Sequence, residues 1–109
     1  MSDQRRFERY DVTGHDTQIF INDDPNRVCP VINISRGGLY FYSSENLRPG
    51  TKLHASVDHL FEIDVEVVRC EDSDEPGEPL PYRIGAMFSD DSPLDTGLFS
   101  HVLEHMLGI

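Results

Sequence analysis

Apolar and acidic residues alternate most cleanly at Phe61, Ile63, Val65 and Val67 against Glu62, Asp64 and Glu66. That period of two marks a strand with one face buried and the other in water. The runs Thr17 to Ile21, Arg27 to Ser35, Leu39 to Ser43, Thr51 to Val57 and Tyr82 to Phe88 read as further strands. They are short, apolar at intervals and bounded by turn formers. Asn22-Asp23-Asp24-Pro25-Asn26, Gly37-Gly38 and Arg48-Pro49-Gly50 supply the turns. Within Arg27 to Ser35, strict alternation sends Ile32 and Ile34 to one face and Val31, Asn33 and Ser35 to the other. Beyond Phe88 the period changes. Leu94, Leu98, Phe99, Val102, Leu103, Met106 and Leu107 recur at helical spacing behind Ser92 as cap, Pro93 at the first helical position and Asp95 in the first turn. This predicts a helix over 92–107. Several short strands closed by one amphipathic helix suggest a small β-barrel with the helix packed on it. The apolar stripe is broad enough that part of it is available to a partner or a second copy.

A chain of 109 residues forms one domain with a single core. Its net charge of −11 argues against a general DNA or RNA binder, whose backbone contacts need many distributed cations. The only lysine is Lys52, whereas Arg5, Arg6, Arg9 and Arg36 gather in two short segments. A basic site on an acidic body selects a small anion and rejects a polyanion. With no apolar run of membrane-spanning length and no signal-peptide pattern at the N-terminus, the expectation is a cytoplasmic protein without membrane insertion. Cys29 and Cys70 are then expected to be free buried thiols. Glu71 to Pro79 reads as an acidic, mobile loop, in which Pro76 breaks the ligand alternation of a calcium loop.

The basic segment Arg5-Arg6-Phe7-Glu8-Arg9 carries Arg-x-x-x-Arg. In an extended arm, Arg5 and Arg9 lie on one side of the chain roughly 13 Å apart, whereas on a helix they would merge into one spot about 5–6 Å across. Arginine's planar fork meets guanine O6 and N7, or two phosphate oxygens, with paired hydrogen bonds. The second segment, Asn33-Ile34-Ser35-Arg36-Gly37-Gly38, carries Asn-x-Ser-x-x-Gly. Asn33 and Ser35 stand side by side with an amide and a hydroxyl suited to a guanine edge. Arg36 offers a further phosphate or base contact. Gly37 and Gly38 are expected to turn through positive φ and to admit close backbone approach.

These two motifs, in this order on a β-rich chain ending in Tyr82-Arg83-Ile84-Gly85-Ala86-Met87-Phe88 and a helix, resemble the PilZ domain, the bacterial receptor module for cyclic di-GMP. The resemblance spans nearly the whole chain. It implies a six-stranded antiparallel β-barrel with a C-terminal amphipathic helix, divided as arm 1–9, barrel 10–90 and helix 92–107. It also implies a non-enzymatic second-messenger receptor with no cofactor besides its ligand. Arg5 and Arg9 would clamp guanine and phosphate, Asn33 and Ser35 would read a guanine edge and Gly38 would shape the loop. Gln4, Arg6, Arg36, Gly37 and Gly85 are secondary candidates. Gln4 precedes the arginine motif and is neither the arginine that would favour an intercalated ligand pair nor the apolar residue that would favour a single ligand, so stoichiometry stays open. Output would pass to an unidentified protein partner through ordering of the arm, from a monomer or homodimer.

Other readings carry less of the sequence. A PilZ-like adaptor that binds only protein would be expected to lose motif residues, and all five are present. An oligonucleotide-binding barrel should show a basic groove, which Tyr40, Phe41 and Tyr42 alone do not make. His101-Val102-Leu103-Glu104-His105 matches the His-x-x-Glu-His zinc-peptidase signature, but so near the end of the chain that no downstream third ligand follows. An ordinary polar helix face or adventitious zinc binding is the plainer reading. His15, His54 and His59 belong to no motif and are expected on the surface. Asn33-Ile34-Ser35 also fits a glycosylation sequon, without meaning in a cytosolic chain.

Overall fold

Each strand in this chain buries one face, and the sheet they form satisfies its edges by closing on itself. The computed structural model describes residues 8–13, 17–57, 61–73, 77, 79–88 and 95–108. The elements are β1 (Tyr10–Asp11), β2 (Gln18–Ile21), β3 (Val28–Ser35), β4 (Gly38–Ser43), β5 (Lys52–Val57), β6 (Phe61–Asp72), β7 (Tyr82–Phe88) and α1 (Thr96–Leu107). All pairings are antiparallel. The order β3-β2-β5-β6-β7-β4 returns from β4 to β3, so six strands close a barrel, and β1 adds to the free stretch of β3. The expected barrel with a C-terminal helix is the fold. No helix among the described residues is long and apolar enough to cross a membrane.

The core is filled from β2 through β7, with Ile19, Ile21, Phe41, Ala55, Val65 and Ile84 completely buried. On β6, Val65 and Val67 are buried while Glu62 and Asp64 face water, as the alternation requires. Helix α1 closes the barrel with Phe99, Val102 and Met106. The Thr17 hydroxyl donates to the Met106 carbonyl at 2.7 Å, and the rings of Tyr10 and Phe99 pack with centroids 5.7 Å apart. Cys29 is buried and Cys70 half-buried, both as free thiols. Burial, with Glu45 nearby, pushes the Cys29 thiol up to about 11.

Several local expectations are corrected. Among the described residues α1 is capped by Asp95, whose carboxylate accepts from the Gly97 and Leu98 amides, so the first-turn acid is the cap itself. Ser92, Pro93 and Leu94 lie outside the described residues. Leu98 is exposed, so the stripe facing the barrel is narrower than the sequence pattern. Glu71 and Asp72 belong to β6 rather than to a loop, because β7 pairs with them through Arg83 and Tyr82. On β3, Val31 and Ile34 are both buried, and Ile32 does not share a face with Ile34. The cause is an irregularity opposite β4. Val31 pairs with Phe41 and Asn33 with Tyr40, so Ile32 is an extra residue that reverses the phase of the strand.

Nor does the double glycine act through positive φ, which among described glycines occurs at Gly50, Gly77 and Gly108. Gly38 instead runs against β7, where a Cβ would collide with the Ala86 carbonyl oxygen and come within 3.1 Å of the Met87 Cα. Its close approach is to the protein's own backbone.

On β5, His54 lies between two carboxylates of β6, with Nδ1 2.9 Å from Asp64 and Nε2 2.8 Å from Glu62. The Asp64 hydrogen bond, then that of Glu62, raises the imidazole above its ordinary range.

Two outcomes are expected. Gly38→Ala should destabilise the barrel by about 1–3 kcal/mol through backbone overpacking, read as a lower urea midpoint at unchanged slope. In an NMR pH titration His54 should titrate above the ordinary imidazole value of about 6.5, and Asp64→Asn should lower it. Because the folded value is the raised one, the stabilisation is complete below the unfolded pKa and fades as pH rises through the folded one.

Candidate ligand-binding site

The strand that carries Asn-x-Ser-x-x-Gly is also the strand whose edge is shared. β2 pairs with Val28 to Pro30, and β1 pairs with Asn33 and Ile34 farther along the same edge. Val12 N–H donates to the Ile32 carbonyl at 2.9 Å and Val31 N–H to that of Thr17 at 3.0 Å, so the two partners together cover this edge. Tyr10 pairs with Ile34 and Asp11 with Asn33. Continuing that antiparallel register by one residue sets exposed Arg9 opposite Ser35. Tyr10, packed on Phe99 of α1, anchors this alignment between core and helix. The structure therefore brings the last arginine of the first motif beside the second. Gln4, Arg5 and Arg6, and the expected mobility of the arm, lie outside the described residues.

The extra residue at Ile32 determines which face Asn33 takes. Cys29 and Val31 are buried, so uninterrupted alternation would bury Asn33 and Ser35 as well. After the bulge Ile34 fills the core, and Asn33 and Ser35 are half-buried on the opposite side. The Ser35 hydroxyl accepts from the Gly37 amide at 3.1 Å and so shapes the turn in addition to lining the surface. Arg36 and Gly37 form that turn, and Gly38 pairs back with Ser35.

Register extends the surface into rows that the sequence reading did not contain. Asn33 pairs with Tyr40, Tyr40 with Gly85, and Gly85 with Arg69. A second irregularity, at Val68 of β6, works as the first does. Val67 pairs with Ala86 and Arg69 with Gly85, which turns Arg69 out of the phase of Val65 and Val67. The Arg69 guanidinium lies 5.7 Å from the centroid of the Tyr40 ring. Buried Gly85 carries that arginine across its backbone, its missing Cβ position 3.7 Å from Arg69. The Tyr40 hydroxyl donates to Glu71 at 2.9 Å, and burial, then this bond, raises its pKa. Tyr40 and Arg69 are the site neighbours missed by sequence reasoning. The signal available was that Tyr40 lies two residues beyond Gly38 on the same strand, whereas Arg69 depended on an unforeseen bulge.

Asn33, Ser35, Tyr40 and Arg69, with Arg9 at the edge, form a polar floor in which Arg69 lies 3.8 Å from the Glu71 carboxylate that also accepts from Tyr40. Hydroxyl and amide groups, an aromatic ring and guanidinium groups can jointly hold a flat base with an attached anion. The His101 and Glu104 side chains, with His105, are exposed on α1, and among the described residues neither histidine joins a three-ligand metal cluster.

Known proteins share this fold. No curated protein sequence matches the chain. Among solved structures, the PilZ domain with c-di-GMP of YcgR from Escherichia coli is similar at a TM-score of 0.69 and 12% identity, over 97% of this chain and 91% of that one. The crystal structure of YcgR in complex with c-di-GMP from Escherichia coli is similar at 0.61 and 11% identity, over 97% of this chain. This chain spans 46% of that larger protein. The sequence profile of the PilZ domain matches residues 3–105, and the chain belongs to the PilZ family.

Proposed function

We propose that this protein is a cytoplasmic cyclic di-GMP receptor that has no catalytic activity of its own and passes its signal to a protein partner. The observation that carries the reading is the pairing of β1 with β3, which puts Tyr10 and Asp11, the residues directly after Arg9, in register with Ile34 and Asn33 of the second motif. Family membership and the two c-di-GMP-containing structures of similar fold support it. In this reading Arg5 and Arg9 clamp a guanine and phosphates, Asn33 and Ser35 read a guanine edge, and Gly38 sets the height of the loop. Gln4, Arg6, Arg36, Gly37 and Gly85 contribute secondarily. The arm orders on binding and changes the surface offered to the partner.

Calorimetric titration with cyclic di-GMP, with GTP and single-stranded DNA as controls, tests this directly. Saturable binding of the cyclic dinucleotide in preference to both controls is expected. Arg5→Ala and Arg9→Ala should each weaken binding by about 1–3 kcal/mol, roughly five- to more than a hundred-fold, with the fold intact. Absence of heat and of chemical-shift change at millimolar ligand would mark a PilZ-fold adaptor that binds only protein. Preferred binding of DNA would mark an oligonucleotide barrel.

Ligand should also protect Arg5, Arg6 and Arg9 from trypsin and slow amide exchange over Met1 to Glu8. Equal protection with and without ligand would refute arm ordering and leave the nucleotide's own exposed surface as the signal.

A further inference from the structure

Around the barrel from the motif surface, β5 and β6 carry a second polar cluster that the ligand reading does not use. Asp23, His54 and Glu62 place one donor atom each within 4.8 Å of one another. The three come from separate elements: Asp23 from the turn between β2 and β3, His54 from β5 and Glu62 from β6. The turn is fixed to β5 at the histidine itself. Asn22 N–H donates to the His54 carbonyl at 2.7 Å, and His54 N–H donates to Asn22 Oδ1 at 3.0 Å. Asp23 is thereby held beside the ring. His54 and Asp64 are direct cross-strand partners, and Asp64 Oδ1 lies 2.9 Å from Nδ1, the ring nitrogen turned away from Glu62.

We propose that Asp23, His54 and Glu62 form a divalent metal site of the zinc class, with Asp64 as the positioning residue for the imidazole. Asp64 accepts the Nδ1 proton, so when zinc displaces the Nε2 proton that otherwise bonds Glu62, the ring is held in the tautomer whose Nε2 lone pair can ligate the ion. A carboxylate behind a ligating histidine is the arrangement that orients such ligands and raises their basicity. One imidazole nitrogen and two carboxylate oxygens suit zinc better than calcium or magnesium, which prefer all-oxygen shells. A tetrahedral ion about 2.1 Å from each donor draws them to roughly 3.4 Å apart and leaves the fourth position to water. Rotation of the exposed Asp23 and Glu62 side chains supplies that contraction. Two carboxylates neutralise the ion's charge, and the chain's overall negative charge concentrates cations around it. Because none of Asp23, His54 and Glu62 belongs to the motif surface, their occupancy by a metal does not require the nucleotide.

The test is isothermal titration of the full chain with zinc chloride, with calcium and magnesium chloride as controls. One saturable zinc per chain is expected, with little heat from the other two ions. His54→Ala and Glu62→Gln should each weaken zinc binding at least about tenfold, and Asp64→Asn about tenfold or more. The His101→Ala/His105→Ala double variant should bind as the parent does. NMR should show zinc shifting His54 Nε2 while Nδ1 stays protonated, a signature that a merely structural Asp64 would not produce. No saturable zinc binding at submillimolar metal overturns the proposal. So does undiminished binding in His54→Ala, or loss confined to the helix double variant.

Discussion

The functional surface depends on one extra residue in β3. A strand exposes every second side chain, so the chain cannot bury Cys29 and Val31 and also present Asn33 and Ser35 unless the phase is broken between them. Ile32 breaks it. Val31 and Ile34 then sit three residues apart in the same core, and the polar pair reaches the outside. The barrel keeps its packing, and the motif gains a surface.

That bulge acts together with the divided edge of the same strand. β2 is short and covers only the first half of β3, leaving the second half for β1. The vacancy in the ladder is where the arginine-bearing segment enters. Tyr10 gives this short pairing an anchor that two residues of sheet could not provide, because it packs against Phe99 of the helix. The position of the arm's root is thus coupled to core, helix and second motif.

Two polar clusters on the barrel use similar materials for different ends. On the motif side, arginine meets an aromatic ring, small polar groups and the Glu71 carboxylate, with Arg69 crossing over Gly85. On the β5–β6 side, carboxylates surround a single imidazole. The overall charge of −11 describes neither place. Local composition decides which small ions each flank can attract, because fields of exposed charges are screened over about 8–10 Å at ordinary salt.

The alternation of Phe61 to Val67, the turn residues and the apolar stripe before Leu107 were sufficient to read strands, a barrel and a terminal helix. Periodicity and turn chemistry are local properties of the chain. Arg-x-x-x-Arg and Asn-x-Ser-x-x-Gly were legible as motifs for the same reason, since each is a short constellation of suitable groups. The faces of β3 were not legible. A bulge is chosen by pairing with β4, and nothing within Val28 to Ser35 announces which residue will be left over. Arg69 escaped notice because a comparable slip in β6 turns it outward. Gly38 was recognisable as special, but its reason, the carbonyl of Ala86 on a strand nearly fifty residues away, exists only once β4 and β7 are side by side. The sequence by itself determined the elements and the chemical groups available. Tertiary pairing decided which groups share a surface, because register and bulges are properties of two strands together.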